Sequence, residues 1–469
     1  MSSVCRRWRS VALSFPELWS KVDVSLHIPD RSFGWHQGFL PLSTSDSAKS
    51  KQRLFAAKMS LLNLQLHRAG GYKLHVKVYG DDMMRYALPC IDLIRTRIQR
   101  WRSLDLLSPD LYPESVHHLI RDTPSFDSLE SLSVRHIFLE QFYKLSTTEP
   151  KMPLLRTFYT RRDLKSPNSR SSVNMPSRLG AWSRNVETII CENFLCWFPL
   201  FKNARNLIIT TTMKRKKDDT EPMNGLSQMP GVHEIGNIIS LTFDINVDTH
   251  NICWFGEHFR FPNLLHLKIS YHKDVKFGPE SDGAQMVYMR YPFQAAYVEN
   301  LLQSSPSLSS LTLNKIPMRK AQVLAFLTPL TSLTRLSIHE PTPCLYGIPI
   351  EPLFVPYYPI SQGFIEALSN NTHLLPHLKS LELVWRHNVN ECALLEMIEH
   401  RREMNLEDVS LGTRYPAPEM MEETRLRLKE IREMGLRVQV LRYDISPILS
   451  FTQPSTLVEM YGRDFRAAS

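Results

Sequence analysis

One segment, Leu-x-x-Leu-x-Leu with x usually polar, recurs along the chain. A recurring segment constrains a fold more than any single motif, because each copy is one structural unit. Copies stand at Leu129-Glu-Ser-Leu132-Ser-Val134, Leu264-Leu-His-Leu267-Lys-Ile269, Leu308-Ser-Ser-Leu311-Thr-Leu313, Leu333-Thr-Arg-Leu336-Ser-Ile338, Leu378-Lys-Ser-Leu381-Glu-Leu383 and Leu406-Glu-Asp-Val409-Ser-Leu411. Weaker copies start at Trp101, Leu155, Val186, Arg205 and Ile238. The last residues of each copy alternate apolar and polar, the period-two pattern of a short strand with one buried face. Pro153, Pro262, Pro306 and Pro376 each sit two residues ahead of a copy, where a fixed φ and a missing donor end a helix and start an extended segment.

Helix-period stretches lie between copies, at Tyr297 to Leu302, Ala321 to Leu327, Gly363 to Leu368 and Ala393 to His400. The unit is therefore strand, turn, helix and return, and one such unit cannot bury its own apolar faces. The expected fold is α/β: an irregular leucine-rich-repeat solenoid with parallel strands on one face and helices on the other. Spacing is uneven, from 18 residues (Ile189 to Leu207) to 45 (Leu336 to Leu381), whereas regular repeats run about 20 to 29. The alternative is a doubly wound sheet, whose strands are usually continuous apolar runs without a Leu-x-x-Leu preface.

Composition agrees with a chain that buries a sizeable core: of 469 residues, 43% are hydrophobic and 22% charged, which excludes wholesale disorder. Glycine is scarce, 17 residues, and proline frequent, 31, a balance that disfavours glycine-loop nucleotide folds. The net charge of +9 is spread too thinly to indicate nucleic acid. Seven scattered cysteines, with no secretory leader in front, point to a reducing compartment, cytoplasmic or nuclear. The longest strongly apolar stretch, Phe194 to Phe201, is interrupted by Pro199 and is far short of the approximately 20 residues that cross a bilayer, so no membrane partner is expected.

Ahead of the repeats, assigned to 101–445, residues 26–100 read as an adaptor segment. Lys51 to Arg68 form a helical stripe stopped by Gly70-Gly71, Leu74-His-Val76-Lys-Val78 a strand, and Met83 to Arg100 an amphipathic helix. Residues 446–469 form a tail. Arg161 to Ser177, Met213 to Met229 and His272 to Asp282 read as loops; Lys214-Arg-Lys-Lys217, the one compact basic cluster, is read as a solvated loop rather than a nuclear address. The helix Glu419 to Met434 carries alternating charge on an exposed face.

The opening stretch, Val4-Cys-Arg-Arg-Trp8-Arg-Ser-Val11-Ala-Leu-Ser-Phe-Pro16-Glu-Leu18-Trp19-Ser-Lys-Val22, places Val4, Trp8, Val11 and Ala12 on one helical face before Pro16 breaks the helix. It resembles the carboxyl half of an F-box (residues 1–25), as found in fungal F-box proteins with leucine-rich-repeat-like domains. His67-Arg-Ala-Gly-Gly-Tyr-Lys-Leu74 and Arg100-Trp-Arg-Ser-Leu104 are similar to segments downstream of the F-box in those proteins. The resemblance implies that Val4, Cys5, Trp8, Pro16, Leu18 and Trp19 contact a Skp-type adaptor of a cullin-RING ubiquitin ligase. The leading helices of an F-box would precede Val4. The expectation is accordingly either a shortened product or a repeat module that has left the ligase, in which Cys5, Trp8, Leu18 and Trp19 would cap the array.

Enzyme chemistry is not expected. Gly-x-Gly-x-x-Gly, a phosphate loop and a Gly-x-Ser-x-Gly elbow are all absent from the sequence. The pairs Cys191/Cys196, His250/Cys253 and His373/His377 do not make the matched pairs of a structural zinc site, so no metal or other cofactor is expected. Recognition is assigned instead to the outward residues of the strands, Asp105, Ser133, Arg135, Thr242, Lys268, Thr312, Ser337 and Glu382, a mixed-charge ladder suited to a protein substrate. The expected function is substrate recognition for a cullin-RING ligase; the alternative is a non-enzymatic repeat scaffold without adaptor binding.

Overall fold

Many of the strands are launched from a β-turn. The N–H of Leu155 donates to Met152 O at 3.3 Å, that of Leu264 to Phe261 O at 3.1 Å, that of Leu308 to Ser305 O at 3.2 Å and that of Leu378 to Leu375 O at 3.2 Å. In all four turns the intervening proline occupies the second position, where its fixed φ suits the geometry. The same bond closes without proline at Leu129 to Phe126 (3.2 Å) and Leu333 to Leu330 (3.1 Å). In these copies the first leucine is the residue that closes the turn; Leu406 instead donates to Arg401 O at 3.0 Å, at the end of the preceding helix.

The computed structural model describes residues 10–11, 13–26, 44–80, 84–108, 111–120, 125–135, 138, 151–161, 181–192, 201–211, 231–245, 250–271, 296–341, 358–387, 389–414 and 420–443. They fall into two compact units that part between Leu308 and Ser309. In the first, nine strands form a parallel ladder: β1 (Lys21–Ser25), β2 (Leu74–Tyr79), β3 (Trp101–Leu106), β4 (Ser131–Arg135), β5 (Thr157–Arg161), β6 (Thr188–Glu192), β7 (Asn206–Thr211), β9 (Ser240–Ile245) and β11 (His266–Tyr271). Between them β8 (His233–Glu234) pairs with β10 (Phe259–Arg260) in a separate small sheet. The helices of this unit are α1 (Thr44–Arg68), α2 (Met84–Arg95), α3 (Pro113–Ile120), α4 (His250–His258) and α5 (Ala296–Gln303).

The second unit repeats the plan with five parallel strands, β12 (Ser310–Asn314), β13 (Arg335–His339), β14 (Ser380–Trp385), β15 (Asp408–Arg414) and β16 (Arg437–Tyr443). Its helices are α6 (Lys320–Leu327), α7 (Gln362–Asn370), α8 (Glu391–Met404) and α9 (Glu422–Glu433). Two of them start at side-chain caps: Ser361 accepts from the N–H of Phe364 at 3.3 Å and Asn390 from that of Ala393 at 3.2 Å, each satisfying a first-turn donor.

Register carries the sequence pattern into three dimensions. Within the first unit the fourth residue of a copy stands opposite the fourth residue of the next: Leu104 pairs with Leu132, Leu132 with Phe158, Phe158 with Ile189 and Ile189 with Leu207. In the second unit Leu311 pairs with Leu336, Leu336 with Leu381 and Leu381 with Val409. All are buried, as are the sixth-position residues Leu106, Val134, Cys191, Leu313, Ile338 and Leu383. Where Phe158 replaces a leucine, Trp182 and Phe201 pack around it with ring centroids at 5.6 and 5.1 Å. In most copies the carbonyl of the second residue also receives two N–H groups of the next: Glu130 O accepts from Arg156 and Thr157, and Lys379 O from Glu407 and Asp408.

Two expectations change. The parallel ladder begins at Lys21 instead of 101, because Trp19-Ser-Lys-Val22-Asp-Val24 is itself a copy with tryptophan in first place, and Val22 pairs with Val76 and Val76 with Leu104. The segments set apart as F-box remnant and adaptor therefore supply its first two strands. The helix expected over Met83 to Arg100 ends at Arg95, followed by a single tight turn at Ile98–Arg100. The loops expected over 161–177, 213–229 and 272–282, the basic cluster within the second of them and the tail at 446–469 lie outside the described residues, except Arg161, which ends β5.

Candidate protein-binding face

Between the two buried positions of each copy stands one residue that faces away from the core, since successive side chains of a strand alternate. These fifth-position residues are brought into rows by the register. In the first unit Asp105 faces Ser133, and Thr242 faces Lys268. In the second, Thr312 faces Ser337 and Ser337 faces Glu382. Seven of the eight residues assigned to the face thus occupy equivalent places. Arg135 does not: it is two residues further on, buried, with its guanidinium 5.3 Å from the Phe138 ring centroid and Nη1 donating to Ser108 O at 3.3 Å. It is a structural residue of the strand end, and Ser337 is also buried.

Glu382 organises the second unit's row. Ser337 Oγ donates to its Oε2 at 2.9 Å, and His339 Nε2 lies 2.9 Å from its Oε1. The bond to His339, first, holds the carboxyl below the usual carboxylate range, against a smaller opposing effect of burial. Because the carboxylate stands between hydroxyl and imidazole, Ser337 donates its hydrogen bond to Glu382 and not to His339. A nucleophile needs the base next to it, so this trio orders a face and does not activate the serine.

In the first unit, β5 and β6 carry a second cluster. Tyr159 donates its hydroxyl to Glu192, whose other oxygen lies 3.5 Å from Arg161 Nε. Burial, and then the neighbouring Glu192, push the Tyr159 phenol far above its ordinary value. Burial also raises the Asp105 carboxyl, although the N–H of Leu107 donates to its Oδ1 at 3.0 Å.

The assignment from sequence misses Tyr159, Ile190 and Ile208, which occupy the same row between Ser133 and Thr242. Their signal lies in the weaker copies: Tyr159 and Ile190 are the fifth residues of theirs, and Ile208 is the fifth when register counts its copy from Ala204, but each is a large aromatic or aliphatic side chain.

Of the adaptor residues inferred from the F-box resemblance, Val4, Cys5 and Trp8 lie outside the described residues. Pro16 opens the single-turn helix Pro16–Trp19. Leu18 in it is 64% exposed, and Phe15 just before it is exposed too. Trp19 lies under the Arg68 guanidinium, 4.6 Å from its ring centroid, which ties this turn to the end of α1. Among the described residues no three His, Cys, Asp or Glu side chains converge as a metal site, and no helix is long and apolar enough to cross a membrane.

No family model matches the chain, and no curated protein matches it. A crystal structure of a Bacteroides fragilis protein aligns with 85% of this chain and 83% of its own length, at 12% identity and a TM-score of 0.26. That likeness is too low to carry an argument about fold or function.

Proposed function

We propose that this chain is a non-enzymatic, F-box-like substrate-recognition protein whose leucine-rich-repeat-like array holds a protein substrate for a cullin-RING ubiquitin ligase. The observation that carries the reading is that, within each unit, the outward residues of neighbouring strands are held in register, a preorganised surface of the kind repeat arrays present to protein partners. The ligase connection rests on the F-box-like opening sequence, and the exposed Leu18, with Phe15 beside it, is available there for an adaptor.

The test is co-purification with a Skp-type adaptor, using the chain as it stands and with a Leu-Pro-containing helical segment added before Val4. Retention that is lost in Leu18→Asp supports the reading, because an exposed leucine can be replaced without loss of packing. Failure of both forms to retain the adaptor leaves the repeat scaffold as the function.

A further inference from the structure

The row across β5, β6 and β7 differs from the rest of the face. Tyr159 stands opposite Ile190 and Ile190 opposite Ile208, all partly exposed. Strands lie about 4.8 Å apart, so the stripe is about 10 Å between its end residues. Two strands beyond it on one side the same row holds Asp105, and two strands beyond it on the other, the exposed Lys268. An apolar stripe is thus framed by opposite charges, with Ser133 and Thr242 as spacers.

We propose that this row docks one amphipathic α-helix of a partner protein, laid across the strands, with apolar side chains one turn apart over Tyr159, Ile190 and Ile208, a basic residue over Asp105 and an acidic one over Lys268. It deepens the reading of the strand face as a partner-binding surface and rests on it. Spacing selects the helix. One helical turn advances about 5.4 Å, close to one strand separation. An extended segment repeats its face every approximately 6.8 Å and falls out of step within two strands. Strand addition is closed off here, because β5 and β7 are already paired on their outer sides with β4 and β9. Tyr159 is held by Glu192, itself close to Arg161, so the aromatic anchor is rigid before the partner arrives. The framing charges set direction: the helix amino terminus, positive through its dipole, belongs at the Asp105 end.

The experiment measures fluorescence anisotropy of a labelled helical peptide against the full chain. The peptide carries leucines at three successive turns in a neutral Ala/Gln background, arginine two turns before them and glutamate two turns after. Ile190→Lys should weaken binding at least about tenfold, as loss of a central anchor does. Lys268→Glu should weaken it about threefold, and a peptide with its glutamate changed to arginine should recover the loss. Absent binding to the wild-type chain, equal binding to Ile190→Lys, or no recovery in the charge swap would each overturn the proposal. If Ile190→Lys fails to fold by circular dichroism, the charge swap at the exposed Lys268 decides alone. Adaptor retention reads a different end of the chain, so its failure and that of the helix site are told apart.

Discussion

The Nδ1 of His387 lies 3.0 Å from Oε2 of Glu340, a carboxylate with no exposed surface. The same oxygen accepts the N–H of Arg386 at 2.9 Å, and Oε1 accepts that of Ile360 at 3.1 Å. One side chain thereby joins the ends of β13 and β14 to the approach to α7. Glu340→Ala leaves two buried backbone donors without their acceptor, each worth about 1–3 kcal/mol. The expected loss is about 3 kcal/mol, read as a fall in the urea midpoint at unchanged slope.

Burial raises the Glu340 carboxyl above its ordinary value, outweighing the bonds from His387, Arg386 and Ile360 that pull the other way. The folded chain therefore holds this proton to higher pH than the unfolded chain. The stabilisation it gives is present below the ordinary glutamate value of 4.5 and is lost as pH rises through the folded value. Urea unfolding of wild type and Glu340→Gln across this range should give a stability difference, wild type minus variant, that falls with rising pH. A flat difference would show that the carboxyl is unperturbed.

Arg401, 2% exposed, donates from Nε to Leu368 O at 2.6 Å, from Nη1 to Leu375 O at 3.2 Å, and from Nη2 to Asn371 O and Leu374 O at 3.0 and 2.7 Å. It satisfies carbonyls at the end of α7 and in the turn beyond, where a cation also suits the helix dipole. Lysine offers one nitrogen where four fixed donors are used. Both Arg401→Lys and Arg401→Met should cost about 3 kcal/mol or more, because buried carbonyls are left without donors at about 1–3 kcal/mol each; similar stability of Lys variant and wild type in guanidinium unfolding would refute the multidentate role.

Leu336 and Leu381 are paired across β13 and β14 and fully packed. Each alanine substitution should cost about 2–5 kcal/mol. The double variant should depart from additivity by about 0.5 kcal/mol or more, because the two side chains share one cavity. Ser410→Ala, on the opposite face of β15, should stay within about 0.5 kcal/mol of wild type. Thermal or chemical unfolding of the four variants and wild type checks all three statements.

The strands of the strong copies can be read from the chain because their period-two alternation and the turn before them are both local. Gly70, a helix stop in the sequence, has φ of +52° just beyond α1, a conformation glycine adopts without steric penalty. The first strand is hidden because Trp19-Ser-Lys-Val22-Asp-Val24 has no leucine at any of its three apolar positions and lies inside the stretch read as an F-box remnant. The last is hidden by Gly435, which takes that place before Val438. Arg401 and Glu340 escape for another reason. Nothing near Arg401-Arg402 in the sequence distinguishes the buried guanidinium from its partly exposed neighbour, and the acceptors lie some thirty residues away in the chain. The apolar row of Tyr159, Ile190 and Ile208 is a property of three aligned strands. It becomes visible only when pairing is known.

Intervals between copies vary more than twofold, yet the strands on either side of the longest, β13 and β14, meet without a slip. The two-donor carbonyls and the turn-closing leucines fix alignment at the strand's own entrance, so segment length is decoupled from alignment. Such an array can accept or shed surface insertions between its strands while its partner-facing rows keep their geometry.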